Sequence, residues 1–416
     1  MAKLQPVRGT RDILPEDMRR QRAVVDACRR LAERYGYHEM ATPVFEFTDV
    51  FKRTLGETSD IVTKEMYTFP VSEEGDQVTL RPEATAGVAR AFITHGLQQD
   101  LPQKLFYTGP MFRHERPQKG RLRQFHQVDV ELLGVAQPVG DVEMIALARH
   151  FLKEIGLDSD RITLEINTLG DLESRKAYRQ ALVDYFQQYE DQLSDDSRAR
   201  LHRNPLRILD SKDPGDRKLV TDAPQFDDYL NRESKDFFRQ VLDGLRTLGI
   251  SYEINPRLVR GLDYYTHTCF EFTTDQLGAQ GTVLAGGRYD GLIEQMGGPS
   301  TPGIGWAAGV ERLAMLARQA PQAPRPIAVV PAGEGQESQA LELTQKLRQQ
   351  GFAVEIGYTG NLRKRLKRAD RVNARAAVIL GEDEAAKGSA TLRDLDSGAQ
   401  ETVALKDLGE RLARLG

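Results

Sequence analysis

Residues 121–134, RLRQFHQVDVELLG, alternate with a period of two and put Phe125, Gln127, Asp129 and Glu131 on one face of an extended segment. Just before them runs LFYTGPMFR (105–113). The seven-residue connection from His114 to Gly120 is longer than a minimal turn, so the two pieces read as a long antiparallel hairpin. A sheet that holds such a hairpin needs one face covered, and polar residues recurring on a covered face point to a pocket. Arg113, Arg116, Lys119, Arg121 and Arg123 crowd the connection and its flanks, and five cations call for an anion. A solvated basic loop would explain the charge run by itself; the polar strand beyond it favours the pocket.

The segments around the hairpin complete an α+β pattern. Residues 20–35 place Val24, Val25, Cys28, Leu31, Ala32 and Tyr35 at helical spacing, with Gly36 as the stop. Short extended pieces follow near 41–46, 66–70 and 77–81, then a helix opened by Pro82 at its first position. From about 171 to 250 the chain is mostly helical and charged, interrupted by the turn-rich SKDPGD and TDAP, which reads as an inserted helical subdomain. Strand-like runs resume at 268–274 and 282–286 and finish the first sheet, an antiparallel one. APQAPRP (320–326) carries three prolines and reads as an extended linker. Beyond it, IAVVP, a helix near 336–350, AVEIG, a basic helix near 361–372 and AAVIL alternate as a small α/β domain with parallel strands.

Composition removes several classes of function. No apolar run approaches the roughly 18 residues that span a bilayer, and MAKLQPVRGTRD lacks the apolar stretch of a secretory signal, so the chain is expected in the cytoplasm, away from membranes. Cys28 and Cys269 are the two cysteines, which leaves no disulfide framework and fits a reducing compartment. The seven histidines form no His-Glu-x-x-His or His-x-His group, so no metal bound by a protein cluster is expected. A net charge of -4 argues against coating nucleic acid by bulk charge; any RNA contact must be local.

Four further segments carry chemistry. In LRPEATAG (80–87), Glu83 near a helix N-terminus is either an end-stabilising carboxylate or one waiting for an ammonium group. LVRGLDYYT (258–266) sets Arg260 beside a glycine that permits a tight turn, followed by Asp263, Tyr264 and Tyr265. LAGGRYDG spans 284–291, and in GIGWAAGVERL (303–313) a glycine-rich strand runs into a helix bearing Arg312. The glycine spacing there misses the dinucleotide fingerprint, as does GEG at 333–335, and no phosphate loop or nucleophile elbow is present.

Together and in this order, these pieces resemble the class II aminoacyl-tRNA synthetases, and within them the bacterial histidyl-tRNA synthetase family, over essentially the whole chain. Residues 41–57 are similar to the dimer-forming first motif, FRHERPQKGRLRQFHQVDVE to the second and GVERL to the third, while LVRGLDYY and AGGRYDGL are similar to the two histidine-specific motifs. The resemblance implies an antiparallel catalytic sheet flanked by helices in two parts, 1–170 and 251–319. It also implies a helical insertion at 171–250, a linker at 320–326 and an anticodon-binding α/β domain at 327–416, in a homodimer. The implied reaction is ATP-dependent activation of L-histidine and its transfer to tRNA(His), with Mg2+ accompanying the ATP phosphates.

The resemblance also assigns residues. Arg113 and Arg260 are the catalytic pair: Arg113 meets the α-phosphate of ATP and the histidine carboxylate, and Arg260 serves the α-phosphate where other class II enzymes rely more on a metal. Arg121 and Arg312 hold the γ-phosphate. Glu83, Thr85 and Gln127 receive the α-amino group. Glu131, Tyr265 and Tyr289 read the imidazole, with Tyr264 completing the histidine site. Arg116 and Gln118 face the tRNA acceptor end. Residues 325–416 hold 15 basic and 13 acidic residues, net +2, and the helix NLRKRLKRADR concentrates Arg363, Lys364, Arg365, Lys367, Arg368 and Arg371 as a second candidate RNA contact or a solvated face. Leu122 stands where many bacterial members carry Tyr, and Trp306 where Phe is common. Two rivals remain at this point: a synthetase-like regulatory subunit of ATP phosphoribosyltransferase without aminoacylation activity, and a synthetase for glycine, proline or threonine.

Overall fold

The computed structural model describes the chain except residues 1–2, 57–58, 60, 72–74, 119, 159, 210, 260–263, 278–280, 318–321, 334 and 416. Two compact units divide at residues 321 and 322.

In the first unit the strands are β1 (His38–Glu39), β2 (Phe45–Phe47), β3 (Tyr67–Pro70), β4 (Gln77–Leu80), β5 (Gln103–Phe112), β6 (Gln124–Leu133), β7 (Thr163–Thr168), β8 (Glu253–Ile254), β9 (Thr266–Thr273), β10 (Thr282–Arg288) and β11 (Gly303–Gly309). Eight of them form one sheet in the order β1-β5-β6-β11-β10-β9-β7-β8, and β2-β4-β3 form a small separate one. The large sheet is antiparallel except at its two short edges, where β1 joins β5 and β8 joins β7 in parallel. Its spine is the hairpin β5–β6, paired without a break from Gln103↔Leu133 to Phe112↔Gln124.

The alternation of β6 decides what each face becomes. Val128, Val130 and Leu132 enter a core under the helices Pro15–Arg34, Pro138–Glu154 and Arg232–Thr247. Trp306 of β11 is buried in the same core, its ring stacked on Phe151 at 5.8 Å, so this side chain serves packing. On the opposite face the helix Thr85–Thr94 and the tyrosines 107, 264, 265 and 289 pack over Asp129 and Glu131.

Two local expectations are corrected. The helix after Pro82 begins at Thr85, because the Glu83 carboxylate accepts the backbone N–H groups of Thr85 and Ala86 (both 2.9 Å) and so caps the helix from outside it. The β5–β6 connection runs over 113–123, longer than seven residues. Its chain folds back on itself through paired backbone bonds between Gln118 and Arg121.

Between β7 and β8 lie the helices Leu172–Gln187, Asp195–Arg200, Pro214–Thr221 and Arg232–Thr247, capped in turn by the side chains of Asp171, Ser194, Asp213 and Asn231. SKDPGD is therefore a cap followed by proline at a helix start. The first three helices share their own small core around Leu182, Phe186, Leu201 and Phe226. The fourth helix instead packs Val241, Leu242 and Leu245 into the core beneath the large sheet.

The second unit has strands β12 (Ile327–Pro331), β13 (Val354–Ile356), β14 (Ala376–Leu380), β15 (Ser389–Asp394) and β16 (Gln400–Ala404) in the order β13-β12-β14-β15-β16. The first three are parallel, as the sequence suggests, but β15 and β16 add an antiparallel hairpin that was not anticipated. Only Ala390, Leu392 and Val403 of that hairpin are buried, too few apolar positions to announce strands.

Candidate active site

A cavity of about 290 Å³ opens over the polar face of β6. The hairpin, the glycine-rich strand β11 and the start of the helix Thr85–Thr94 bring Glu83, Thr85, Arg113, Arg121, Gln127, Tyr264, Tyr265, Tyr289 and Arg312 together around it. Arg116 and Gln118 are exposed on the connecting loop and are not among the residues lining the cavity, and Arg260 lies outside the described residues. Arg123 turns away, its side chain packed over Gly9 and its Nε donating to the Glu115 carbonyl oxygen.

The cationic wall is built with some care. Arg113 donates from Nε to the Pro82 carbonyl oxygen at 2.8 Å and lies over the Phe125 ring at 5.4 Å, which fixes its plane. Arg121 donates to Glu115 at 3.1 Å. Burial and the neighbouring Arg121 charge both hold the Arg312 guanidinium below its ordinary value, and Glu271 offsets this in part. Glu311, next in sequence, accepts from the backbone N–H and Nδ1 of His126 and so pins the helix Val310–Leu316 to β6.

Glu131 is almost fully buried and is not among the residues lining the cavity; Thr85 and Tyr289, which do line it, hold its carboxylate. One carboxylate oxygen accepts from Thr85 Oγ1 (2.6 Å) and Tyr107 OH (3.1 Å), the other from Tyr289 OH. The glycines of β11 make room for this arrangement. A Cβ on Gly305 would fall 1.7 Å from Glu131 Oε2, and one on Gly303 2.3 Å from the Tyr289 ring. The glycine spacing that imitates a dinucleotide motif thus serves close packing of a carboxylate and an aromatic ring.

Burial pushes the Glu131 pKa up to about 7 from 4.5, against the hydroxyl donors that lower it. Because the folded protein holds this proton where the unfolded chain releases it, the group's stabilising contribution is full below about pH 4.5 and is lost as pH rises through about 7. A Glu131→Gln variant lacks that loss. The difference in unfolding free energy between variant and parent is expected to shift by on the order of 3 kcal/mol between pH 4 and 8, in favour of the variant at high pH. Urea titrations at several pH values measure it, and parallel curves would refute it.

Five residues of the site went unassigned in the sequence: Tyr107, Glu115, Asp129, Glu271 and Glu311. Asp129 shares the parity of Gln127 and Glu131, so the strand pattern itself pointed to it. Tyr107 lies opposite Asp129 only by virtue of the β5–β6 register, which sequence does not give. Among the described residues no group of three or more His, Cys, Asp or Glu side chains is disposed to hold a metal ion, and no helix is long and apolar enough to cross a membrane.

The same architecture occurs in known proteins. A sequence model described as histidyl-tRNA synthetase matches residues 9–313, and one described as an anticodon binding domain matches 326–415. The chain belongs to the histidyl-tRNA synthetase family. A histidine–tRNA ligase of Rhodospirillum rubrum is 62% identical over 415 residues, with 100% of each chain covered, and one of Gluconacetobacter diazotrophicus is 57% identical with the same coverage. The apo histidyl-tRNA synthetase of S. aureus superimposes with a TM-score of 0.82 at 37% identity, covering 99% of both chains. Family membership accounts for the antiparallel sheet and for an α/β unit at the C-terminus.

In that second unit the basic helix Leu362–Arg371 divides its cations. Arg365 is buried and donates to the Pro331 carbonyl oxygen and to Glu337, while Arg368 pairs with Glu355 and lies over the Tyr358 ring. Arg363, Lys364, Lys367 and Arg371 remain exposed.

Proposed function

We infer that the protein is an aminoacyl-tRNA synthetase that activates L-histidine with ATP and transfers it to the 3'-terminal adenosine of tRNA(His). The observation that carries this reading is a cavity, in a chain of this family, whose lining joins a wall of guanidinium groups to Thr85 and Tyr289, the hydroxyl donors that hold the buried Glu131 carboxylate. In the first step a carboxylate oxygen of histidine attacks the α-phosphorus of ATP, the bond to the bridging oxygen breaks, and pyrophosphate leaves with its electron pair. In the second, a hydroxyl of the terminal ribose attacks the adenylate carbonyl and AMP departs. The substrate carboxylate is already a nucleophile, so the first step needs positioning and charge stabilisation and no general base.

Within this reading Arg113 bridges the histidine carboxylate and the α-phosphate, Arg121 and Arg312 take the γ-phosphate, and Glu131 with Tyr265 and Tyr289 accepts the imidazole. Thr85 and Gln127 meet the α-amino group with Glu83 behind them, and Tyr264 closes the histidine site. Mg2+ would be held by phosphate oxygens together with single carboxylates of the cavity lining, Glu115 and Glu271, a sparse oxygen set that suits an ion retaining most of its waters. Its charge would offset that of the departing pyrophosphate. Arg260 is the second catalytic arginine. Arg260→Lys keeps the charge but loses the paired N–H fork and is expected to slow adenylate formation at least roughly tenfold; near-parental pyrophosphate exchange in that variant would remove Arg260 from the mechanism.

The reading includes a homodimer. Phe45 and Phe47 on β2 and Phe69 on β3 share one face of the small sheet, linked through their common row with Val78, and are 54%, 60% and 41% exposed. Apolar rings gathered on one face suit a self-complementary contact. Arg116 and Gln118 on the exposed loop serve the acceptor end of the tRNA, and Arg363, Lys364, Lys367 and Arg371 its backbone near the anticodon. Such a substrate places the reaction in the cytoplasm. Charging of a tRNA(His) transcript with labelled histidine tests the whole sequence of steps; failure to charge in the presence of ATP and Mg2+ would overturn it. The regulatory-subunit rival is disfavoured by the C-terminal match to an anticodon binding domain and by full-length identity to ligases.

A further inference from the structure

The carboxylates around the cavity differ in one respect. Glu83 accepts two backbone N–H groups, Glu131 three hydroxyls, Glu311 His126, and Glu115 Arg121. Asp129 also lines the cavity and is only 2% exposed, yet its Oδ2 is buried with no hydrogen-bond partner among the described residues. Two residues earlier on the same strand face, the Gln127 Oε1 is buried and equally without a partner among the described residues. Orphaned acceptors of this kind are rare in folded proteins, and a buried carboxylate left without a donor is costly.

The pair defines what is missing. Two acceptors side by side, one of them able to carry charge, call for a small cation with at least two N–H donors, which is a primary ammonium group. The same cavity presents the Arg113 guanidinium to a carboxylate. The two ends of an α-amino acid are thereby provided for in one cavity. Glu83, which the family resemblance assigns to the amino group, already has both oxygens engaged by the helix it caps. Burial, with the nearby Glu131 and Glu83 charges, holds the Asp129 carboxyl well above its usual range, and Arg81 and Arg113 offset this in part. A cationic ligand would restore its ionised form.

We propose that Asp129, acting with Gln127, receives the α-ammonium group of the amino-acid substrate and makes the free amine a requirement for binding. The assignment rests on the proposed ligase function and names a specificity residue for it.

Asp129→Asn keeps the shape and removes the charge. In pyrophosphate exchange it is expected to raise KM for histidine roughly ten- to a hundredfold with KM for ATP unchanged. Two competitive inhibitors separate a direct contact from a general disturbance of the cavity. Histidinol retains the amine and lacks the carboxylate, and 3-(imidazol-4-yl)propionate lacks the amine. The variant should weaken histidinol by the same factor as histidine and leave the propionate's Ki within about twofold of the parent. Equal weakening of both, or of neither, overturns the assignment. Should the variant fail to fold, calorimetry of the unaltered protein near pH 6.5 in buffers of different ionisation heat gives the same answer. Histidinol is expected to release more protons on binding than the propionate after correction for their own titration, and equal release contradicts the proposal. Absence of histidine-dependent exchange in the unaltered protein would instead remove the ligase reading, and this assignment with it.

Discussion

Arg113→Gln is expected to lower the rate of histidyl-adenylate formation about a thousandfold while the protein stays folded. Opposite unit charges about 4 Å apart at an effective dielectric of about 20 attract by roughly 4 kcal/mol, and an attraction of that size realised only in the transition state corresponds to about three powers of ten in rate. The guanidinium is already held in place. Its Nε is held by the Pro82 carbonyl oxygen and its plane by Phe125, so little is lost in orienting it when substrate arrives. Single-turnover adenylation with saturating histidine and ATP measures the loss. A fall below tenfold would mean that the α-phosphate is stabilised elsewhere.

The second large effect is on stability and lies outside the cavity. Arg288, at the end of β10 in the AGGRYDG segment, is fully buried beside an equally buried Asp141. Its Nε donates to both Asp141 oxygens (3.2 and 3.1 Å), its Nη2 to Oδ2, and its Nη1 to the Val135 carbonyl oxygen (2.9 Å) and to Asp290 (3.0 Å). Arg288→Met leaves Asp141 charged and unpaired in the interior and is expected to destabilise the protein by about 3–5 kcal/mol. Replacing both partners, Arg288→Met with Asp141→Leu, removes the stranded charge and should recover much of that loss. Urea unfolding of the parent, the two single variants and the pair gives the coupling; additive losses would show that the ion pair is not what holds this corner. The residue after Arg288 is Tyr289, a donor to Glu131, so the pair also fixes where the site's tyrosine stands.

These cases show what was legible in the chain and what was not. The alternation of 121–134 announced the sheet and the polarity of one face, because period-two patterning is a local property of a strand. The fold class followed from the order of segments. What lay hidden was decided by contacts between segments distant in sequence. The partner of Arg288 is 147 residues away, and the register that sets Tyr107 beside Asp129 depends on the whole hairpin. The glycines of β11 drew attention as a failed nucleotide motif, whereas their reason is the space taken by Glu131 and Tyr289. Pro82 suggests a helix start, but the helix begins at Thr85 because the Glu83 side chain itself reaches the N–H groups of Thr85 and Ala86. In the second unit, β15 and β16 bury too few apolar side chains to register as strands, and their pairing with β14 supplies what local pattern lacks.

The central claim is that this cavity selects histidine and activates it with ATP. ATP–pyrophosphate exchange with each of the twenty amino acids, without tRNA, tests it most directly, since the first step involves no tRNA. Exchange with histidine and with no other amino acid is the predicted result. No exchange with histidine, or exchange driven by glycine, proline or threonine, would contradict the account.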